Sequence, residues 1–318
     1  MDMLEKLSLA GLVPVIKVED AFDAVPLCKA LLDGGLPVAE ITFRTAAAEE
    51  AIRLVHEQLP QVILGAGTVL TTEQVDRAVA AGAAYIVSPG LNPKVVEHCQ
   101  KIGVPVLPGC ANPSDIETAL SLGLKTVKFF PSESLGGLPM IKALSAPYGN
   151  VTFVPTGGIS EKNLVEYLSF PKVVACGGSW MVPQDAVDAK DWGKVKSITR
   201  SAVALLLGFE LAHIGINTGT PENALRQAQL LCTLLGWEVK DGNSSAFVGT
   251  GIELMKKPFR GTHGHIAIRT NSIPRAKWHL QQRGFAFDEA SATEKNGKVI
   301  AVYLQDEIAG FAIHLLQK

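Results

Sequence analysis

Residues 62–83, VILGAGTVLTTEQVDRAVAAGA, contain the unit whose repetition decides the fold. The first eight residues are small or apolar, as in a buried strand, and residues 71–83 have apolar side chains at helical intervals of three and four. Gly82 comes near the end of the second pattern, where helices commonly stop. The stretch therefore predicts one strand followed by one helix.

This strand–helix unit recurs from residue 1 to about residue 205. Eight units in about 200 residues indicate a compact (β/α)8 TIM barrel in an α/β protein. A doubly wound open sheet is the alternative, but no G-x-G-x-x-G loop follows the first strand. The eight predicted strands are VPVIKV (13–18), VAEITFRT (38–45), VILGAGTV (62–69), YIVSPG (85–90), PVLPGCAN (105–112), TVKFFP (126–131), FVPTGG (153–158) and VVACGGSW (173–180).

After residue 208 the pattern changes to a repeat of about fifty residues. HIGINT (213–218) recurs as HIAIRT (265–270), and GIEL (251–254) recurs as AIHL (312–315). Each copy has a strand, a helical run and three further strand-like pieces. We therefore expect a barrel domain over residues 1–207 and a smaller α+β domain of two βαβββ modules over residues 208–318.

The composition excludes several classes of protein. The 318 residues carry a net charge of −2, which offers no basic surface to nucleic acid or to an anionic membrane. The longest apolar run, residues 202–209, is much shorter than the ~20 residues of a membrane span, and the chain starts without a secretory signal. The cysteines are odd in number and lack C-x-x-C spacing, which predicts reduced thiols in a cytoplasmic protein. They are Cys28, Cys99, Cys110, Cys176 and Cys232.

Charged side chains interrupt two of the predicted strands. Because strand side chains alternate between faces, Glu40 and Arg44 share one face of the second strand, opposite an apolar face. Lys128 is the one charged residue in the sixth strand. If the apolar faces meet the outer helices, these three charges point into the barrel. The same alternation places Lys17 and Thr68 in the interior.

Two interpretations of this interior set compete. A buried Lys128–Glu40 pair could serve packing alone, although such pairs seldom stabilise a protein more than apolar residues do. Alternatively, loss of solvation favours the neutral amine of Lys128, which is then a nucleophile that forms a Schiff base with ketones. Glu40 is placed to transfer protons. The barrel region has only His56 and His98, both in helical runs, so lysine chemistry is the prediction.

Glycine pairs follow the last two predicted strands, in PTGGIS (155–160) and CGGSW (176–180). Loops at these two places commonly bind phosphate in barrels of this kind. Glycine lets backbone N–H groups approach the oxygens, and a following helix start adds positive potential. Tight turns without a ligand are the alternative. The predicted phosphate-binding residues are Gly157, Gly158, Gly177, Gly178 and Ser179.

Residues 8–205 resemble the KDPG/KHG aldolase family, the class I 2-keto-3-deoxy-6-phosphogluconate and 4-hydroxy-2-oxoglutarate aldolases. The resemblance rests on VPVI, EITFRT, GAGTVL, SPG, VKFFPSE, PTGGIS and GGSW in this order. It implies a cytoplasmic homotrimer that needs no cofactor and that cleaves a keto acid to pyruvate and glyceraldehyde 3-phosphate, or glyoxylate for the shorter substrate. The pair RT in EITFRT favours the phosphogluconate type over phosphogalactonate aldolases.

The family pattern also implies roles for individual residues. Lys128 corresponds to the Schiff-base lysine and Glu40 to the acid/base group. Arg44 and Thr68 would contact the pyruvate-like carboxylate end of a small phosphorylated keto acid. The remaining predicted substrate contacts are Pro89, Thr156 and Lys17.

The second domain resembles the vicinal-oxygen-chelate, or glyoxalase/bleomycin-resistance, fold. In that fold, metal ligands come from the first and last strands of each module, which here implies a divalent metal at His213, Glu253, His265 and His314. The usual last ligand is a glutamate, so His314 is a departure. The hypotheses left open are a separate metal-assisted activity, a regulatory module that binds a metabolite, and a structural domain. His263 and His279 fit surface or packing roles.

Overall fold

The computed structural model describes residues 1–318, which form two compact units, Met1–Leu206 and Leu207–Lys318. No helix in either unit combines the length and the apolar character that a membrane crossing requires.

The first unit is a closed barrel of eight parallel strands, as predicted. Hydrogen bonding gives the orders β5-β4-β3-β2-β1-β9 and β6-β7-β8. β5 and β6 are two halves of the fifth barrel strand, on either side of Pro108, and bridges Phe153–Val173 and Thr156–Gly177 join β8 to β9. The strands are β1 (Leu12–Ile16), β2 (Val38–Thr42), β3 (Ile63–Gly67), β4 (Tyr85–Val87), β5 (Val106–Leu107), β6 (Gly109–Cys110), β7 (Thr126–Phe129), β8 (Thr152–Pro155) and β9 (Cys176–Gly178).

Helices follow the strands throughout the barrel. Side chains of Thr71, Asn92 and Asn112 accept the first free N–H groups of three of these helices and so fix where they begin. The helices are α1 (Met3–Ala10), α2 (Ala24–Asp33), α3 (Ala48–Gln58), α4 (Thr72–Ala80), α5 (Pro93–Lys101), α6 (Pro113–Ser121), α7 (Gly137–Ser145), α8 (Leu164–Ser169), α9 (Gln184–Asp188) and α10 (Trp192–Leu207), with single 3-10 turns at Ala21–Asp23 and Glu133–Leu135.

The alternation of side chains on β2 sorts the barrel core from the barrel interior. Ala39 and Ile41 are fully buried in a cluster with apolar side chains of α2 and α3, and Phe43 packs against it. Glu40 and Thr42 therefore point to the opposite side, into the barrel. The Thr42 hydroxyl donates to the Ile16 carbonyl oxygen at 2.8 Å, which ties β2 to β1 at this level.

Two glycines on β3 make room inside the barrel. A Cβ atom on Gly67 would overlap the Glu40 carboxylate, and one on Gly65 would overlap the Tyr85 ring. The segment GAG thus leaves space for one charged and one aromatic side chain from the neighbouring strands.

All five cysteines are buried free thiols. Burial raises the pKa of Cys28 and Cys110 to about 12 and that of Cys99 to about 11. These three thiols are therefore protonated at neutral pH and are not nucleophiles of a catalytic site.

The second unit is one eight-stranded sheet with two helices, built from the two predicted βαβββ modules. The strand order is β11-β12-β13-β10-β14-β17-β16-β15, and the modules meet where β10 and β14 pair antiparallel. The elements are β10 (Glu210–Asn217), α11 (Pro221–Leu235), β11 (Val239–Asp241), β12 (Ser245–Val248), β13 (Ile252–Met255), β14 (Gly264–Thr270), α12 (Ile273–Gln281), β15 (Phe287–Lys295), β16 (Lys298–Leu304) and β17 (Phe311–Gln317).

Candidate functional site

Lys128 on β7 and Glu40 on β2 meet inside the barrel. The Lys128 Nζ lies 3.5 Å from the Glu40 Oε1, and the two residues are only 6% and 3% exposed. The Glu40 Oε1 accepts no hydrogen bond from the protein. Lys128 Nζ also lies 5.3 Å from the centre of the Phe130 ring. The amine thus has one carboxylate beside it and little solvent, and the carboxylate retains an unused acceptor.

Tyr85, which the sequence did not single out, lies behind this pair. It is fully buried and its hydroxyl donates to the Ala39 carbonyl oxygen at 3.4 Å. Burial, and then the negative charge of Glu40, raise the pKa of Tyr85 well above its ordinary value. Tyr85 therefore stays a neutral phenol near Glu40.

An open cavity of about 400 Å³ lies at the carboxyl ends of the strands. Lys128 and Glu40 are not in its lining, but Val15, which pairs with Glu40, and Phe130, two residues after Lys128, both are, so the pair lies next to the cavity. The cavity brings together most of the predicted site residues. Its lining is Val15, Lys17, Arg44, Phe130, Thr156, Gly157, Gly158, Ile159, Gly178, Ser179, Val182, Pro183 and Gln184.

The predicted carboxylate-binding residues follow the ends of two adjacent strands. The Arg44 Nε–H donates to the Thr68 hydroxyl at 3.3 Å, which ties the residue after β2 to the residue after β3. Thr68 has a φ of 57°, in the left-handed region that non-glycine residues seldom adopt. The Thr68 backbone is therefore not extended, although the residue directly follows β3. Thr68 does not line the cavity and is connected to it by the hydrogen bond from Arg44, which does.

Lys17 occupies the rim of the cavity and not the barrel interior that alternation predicted. Its side chain is 42% exposed and its Nζ pairs with Glu19 at 2.6 Å. The reason is that β1 ends at Ile16, so the alternation of strand faces no longer applies at Lys17.

Two other predicted residues lie beside the lining. Gly177 bridges to Thr156 between β9 and β8, and a Cβ atom there would overlap the Thr156 hydroxyl. Pro89 is half-buried after β4, and its carbonyl packs against Gly109, where a Cβ atom would overlap it. Gly177 therefore packs against Thr156, which lines the cavity, and Pro89 packs against Gly109.

The loop after β8 has one free backbone amide. Gly157 and Gly158 have φ values of 97° and 82°. The bridge between Thr156 and Gly177 directs the Gly157 N–H toward the Gly177 carbonyl oxygen, whereas the Gly158 N–H donates to no atom of the chain. Both residues line the cavity. The expected helix start is not directly at either glycine pair, because α8 begins at Leu164 and α9 at Gln184. An anion at this place would therefore interact with the glycine backbone and not with a helix N-terminus.

A hydrogen-bond network of the buried Ser132 and Tyr167 with the exposed Glu133 lies beside this loop, and no sequence pattern predicted it. The Tyr167 hydroxyl donates to Glu133 Oε1, and the Ser132 hydroxyl lies 3.0 Å from the same phenol oxygen. Burial, and then the hydrogen bond to Glu133, raise the pKa of Tyr167 above its ordinary value. Tyr167 therefore remains a hydrogen-bond donor at neutral pH.

In the second unit the four predicted metal ligands come together on adjacent strands. The donor atoms of His213, His265 and His314 all lie within 4.8 Å of one another. The Glu253 Oε2 lies 3.2 Å from the Nε2 of His213 and 3.1 Å from the Nε2 of His265. A Cβ atom on Gly215 would overlap the His265 ring, so the glycine in HIGINT makes room for this imidazole.

The pKa values of Glu253 and His314 in this His/Glu cluster are both lowered. Burial opposes ionisation of Glu253, but hydrogen bonds from His213, His265 and Ser245 outweigh it and hold the pKa below its usual range. Burial, with the neighbouring imidazoles, lowers the pKa of His314 to about 3. The cluster thus presents one carboxylate and one neutral imidazole at neutral pH, both deprotonated as metal ligands must be.

Aromatic side chains surround the His/Glu cluster. Tyr303 stacks on His314 with ring centres 4.5 Å apart, and Phe247 meets His213 edge-on at 5.5 Å. His263 contacts Phe311 and His279 contacts Trp278 instead, as expected for packing residues.

Comparison with known proteins identifies the first unit. Residues 3–198 match the family described as KDPG and KHG aldolase. The chain is 49% identical over 204 residues to the 2-dehydro-3-deoxy-phosphogluconate aldolase of Treponema pallidum, covering 64% of this chain and 97% of the relative. It is 41% identical over 197 residues to the KHG/KDPG aldolase of Escherichia coli, covering 62% and 92%.

Two solved structures share the barrel. A KDPG aldolase from Legionella pneumophila, with pyruvate captured at low pH as a covalent carbinolamine intermediate, matches with a TM-score of 0.61 and 38% identity over 63% of this chain and 98% of that one. The 2-keto-3-deoxy-6-phosphogluconate aldolase of Zymomonas mobilis with 3-phosphoglycerate matches with a TM-score of 0.61 and 40% identity over 64% and 96%.

The barrel, its buried lysine and these matches define an aldolase, a carbon–carbon lyase. The chain belongs to the KDPG and KHG aldolase family. The family match ends at residue 198, so the second unit lies outside it.

Proposed function

We propose that the chain cleaves 2-keto-3-deoxy-6-phosphogluconate to pyruvate and glyceraldehyde 3-phosphate through a Schiff base on Lys128. The observation that carries this proposal is the buried Lys128–Glu40 pair, whose neighbours Val15 and Phe130 line the cavity. A relative with pyruvate bound as a carbinolamine and another with 3-phosphoglycerate support the same chemistry and substrate class.

The reaction follows from the two side chains. The Lys128 amine attacks the C2 ketone, and the resulting carbinolamine loses water to give a protonated imine. Glu40 takes the proton from the C4 hydroxyl, the C3–C4 bond breaks, and its electron pair moves into the imine to form an enamine. The aldehyde leaves, C3 is protonated, and water releases pyruvate and the free amine.

The ends of the substrate have matching partners. Arg44 and Thr68 supply a cation and a hydroxyl for the carboxylate, and Thr156, Pro89 and Lys17 complete the substrate contacts. The free amide of Gly158, together with Gly157, Gly177, Gly178 and Ser179, would bind the phosphate. The shorter 4-hydroxy-2-oxoglutarate, which would yield pyruvate and glyoxylate, uses the same lysine but lacks the phosphate that these residues would bind.

A substrate panel tests this proposal directly. Pyruvate release, coupled to lactate dehydrogenase, is measured with 2-keto-3-deoxy-6-phosphogluconate and with 4-hydroxy-2-oxoglutarate. We expect both to be cleaved, with the lower KM for the phosphorylated keto acid. If neither compound releases pyruvate, the proposal is contradicted.

Substitution of Gly158 by alanine tests the phosphate site. A Cβ atom there would lie 2.5 Å from the Glu133 Cγ, and the φ of 82° is unfavourable for alanine. The displaced amide should raise KM for the phosphorylated substrate about tenfold, which corresponds to one lost hydrogen bond, and spare 4-hydroxy-2-oxoglutarate. Gly149→Ala is the matched control, since a Cβ atom there meets no atom within 4 Å. An equal change for both substrates would contradict the phosphate assignment.

For the second unit we propose a divalent metal held by His213, Glu253, His265 and His314. The observation that favours it is His314, whose Nδ1 and Nε2 are buried without any hydrogen-bond partner. A buried polar group with no partner is costly, and a shared cation would satisfy it. Three imidazoles and one carboxylate suit Zn²⁺ and related transition metals. When bound, such a metal would act as a Lewis acid toward an oxygen ligand.

Metal binding is measured by elemental analysis and by the Zn²⁺-dependent rise in melting temperature. We expect about one Zn²⁺ per chain and a loss of affinity of at least about 100-fold in His265→Ala, since that ring also contacts His213 and Glu253. His263→Ala, which contacts Phe311 instead, is the matched control. If the wild-type chain binds no Zn²⁺, Ni²⁺, Mn²⁺ or Fe²⁺, the metal assignment is wrong and a structural or metabolite-binding role is favoured.

The family membership also implies a homotrimer and a cytoplasmic location, which stay predictions, as does the vicinal-oxygen-chelate-like assignment of the second unit. A separate glyoxalase-like activity depends on the metal and is the function that a positive metal measurement would favour.

A further inference from the structure

Three backbone carbonyl groups of the loop after β8, those of residues 156–158, each accept a hydrogen bond from a residue outside the loop. Backbone N–H groups of Ser132 and Glu133 donate to the Thr156 and Gly157 carbonyl oxygens at 2.8 and 3.0 Å. The Asn163 side-chain amide donates to the Gly158 carbonyl oxygen at 3.1 Å. The loop is therefore fixed through its acceptors, while the N–H group of Gly158 remains free.

Holding these carbonyls determines where the free amide points. The peptide group is planar and trans, so a carbonyl and the next N–H point in opposite directions. The bond from Glu133 to the Gly157 carbonyl thus orients the free Gly158 N–H. The bond from Ser132 to the Thr156 carbonyl directs the preceding amide toward β9, which holds the loop in place. The segment Ser132–Glu133 therefore sets the direction of the one free amide.

One side chain holds both residues of that segment. The Tyr167 hydroxyl has a single proton, which it donates to Glu133 Oε1, so the Ser132 hydroxyl donates to the phenol oxygen at 3.0 Å. Ser132 is fully buried and Tyr167 is only 2% exposed, so water does not substitute readily for either partner. Gly137 keeps the space open, since a Cβ atom there would lie 2.7 Å from Glu133 Oε1 and 2.9 Å from the Tyr167 oxygen.

We propose that Tyr167 is a positioning residue for the phosphate end of the substrate, acting through Ser132 and Glu133 on the amide of Gly158. This inference rests on the proposed aldolase function and deepens it. Tyr167 itself touches neither the reacting carbon atoms nor Lys128. Its loss should therefore weaken phosphate recognition and leave Schiff-base chemistry intact.

Tyr167→Phe is the direct test, because it removes the hydroxyl and keeps the packed ring. We expect KM for 2-keto-3-deoxy-6-phosphogluconate to rise about tenfold with kcat within about twofold, as for a lost hydrogen bond that orders a ligand site. KM for 4-hydroxy-2-oxoglutarate and borohydride trapping with pyruvate should not change. Glu133→Gln, which keeps an acceptor for the phenol, should retain most of the preference for the phosphorylated substrate.

Tyr148→Phe is the matched control. The Tyr148 hydroxyl donates to Glu117 at 2.9 Å, a tyrosine–glutamate pair of the same kind that does not contact the loop. It should leave both KM values unchanged. If Tyr167→Phe does not fold, Glu133→Ala removes the same hydrogen bond from an exposed residue and should produce the same split between substrates.

Two results would overturn the inference. Equal losses for both substrates would make Tyr167 a purely structural residue, and unchanged kinetics would make the network irrelevant to binding. Failure of the proposed function has a different signature, because the wild-type chain would then release no pyruvate from either substrate or show the same KM for both. That result would overturn this inference as well.

Discussion

Lys128→Ala should lower the rate of pyruvate release by about 10⁴-fold or more, since it removes the nucleophile on which every later step depends. Lys128 is buried and its Nζ has Glu40 as its nearest charged partner at 3.5 Å. The cavity has one other lysine, Lys17, whose amine is half exposed at the rim and paired with Glu19. No second amine is therefore placed to replace it.

The control for this substitution is Lys125→Ala. Lys125 is exposed immediately before β7, three residues from Lys128, so the variant changes the same charge in the same region. It should retain wild-type kcat and KM. Substantial activity in Lys128→Ala would transfer the nucleophile to another lysine, with Lys17 the first to examine.

Glu40→Gln should lower kcat by about 10² to 10⁴, the usual contribution of a positioned acid/base group. The amide has nearly the shape of the carboxylate, so the close approach of Gly67 to this side chain is preserved. It cannot, however, take up the proton from the substrate hydroxyl. The slow step becomes carbon–carbon bond cleavage, and single-turnover kinetics should show the Schiff base accumulating before pyruvate appears.

Glu49→Gln is the matched control for Glu40→Gln. Glu49 is exposed at the start of α3 and pairs with Arg77 at 2.6 Å, so the same chemical change occurs in a surface ion pair. Exposed pairs contribute about 0–1 kcal/mol to stability, and kcat should be unaffected. If Glu40→Gln keeps the wild-type kcat, Glu40 is not the acid/base group and serves only as the ion-pair partner of Lys128.

The sequence predicted those parts of the barrel that depend on local periodicity. Alternation on β2 and β7 correctly separated Glu40 and Lys128 from the apolar residues that face the helices, because both strands are regular at these positions. Alternation put Lys17 on the side of Val15, and both line the cavity, but it did not show that the Lys17 side chain is half exposed, because β1 ends one residue earlier. It also did not reveal the interruption of the fifth strand at Pro108, or helix α1 with its Asp2–Glu5 capping box.

The sequence could not predict side-chain contacts between residues that no strand or helix periodicity relates. Glu133 and Tyr167 are 34 residues apart and belong to different strand–helix units, so no spacing rule links them. In the second unit the internal repeat and the fold resemblance placed the four ligand candidates, but not the Tyr303 ring that stacks on His314. That contact depends on the pairing of β16 with β17, which opposes Tyr303 and His314.

The central claim is that Lys128 forms the Schiff base, and borohydride reduction of the wild-type chain with pyruvate tests it most directly. Reduction makes the imine a stable secondary amine, which mass spectrometry of the digested protein can assign to one peptide. We predict one pyruvate adduct per chain, on the peptide that contains Lys128. An adduct on Lys17 or any other lysine, or no adduct at all, would contradict the account.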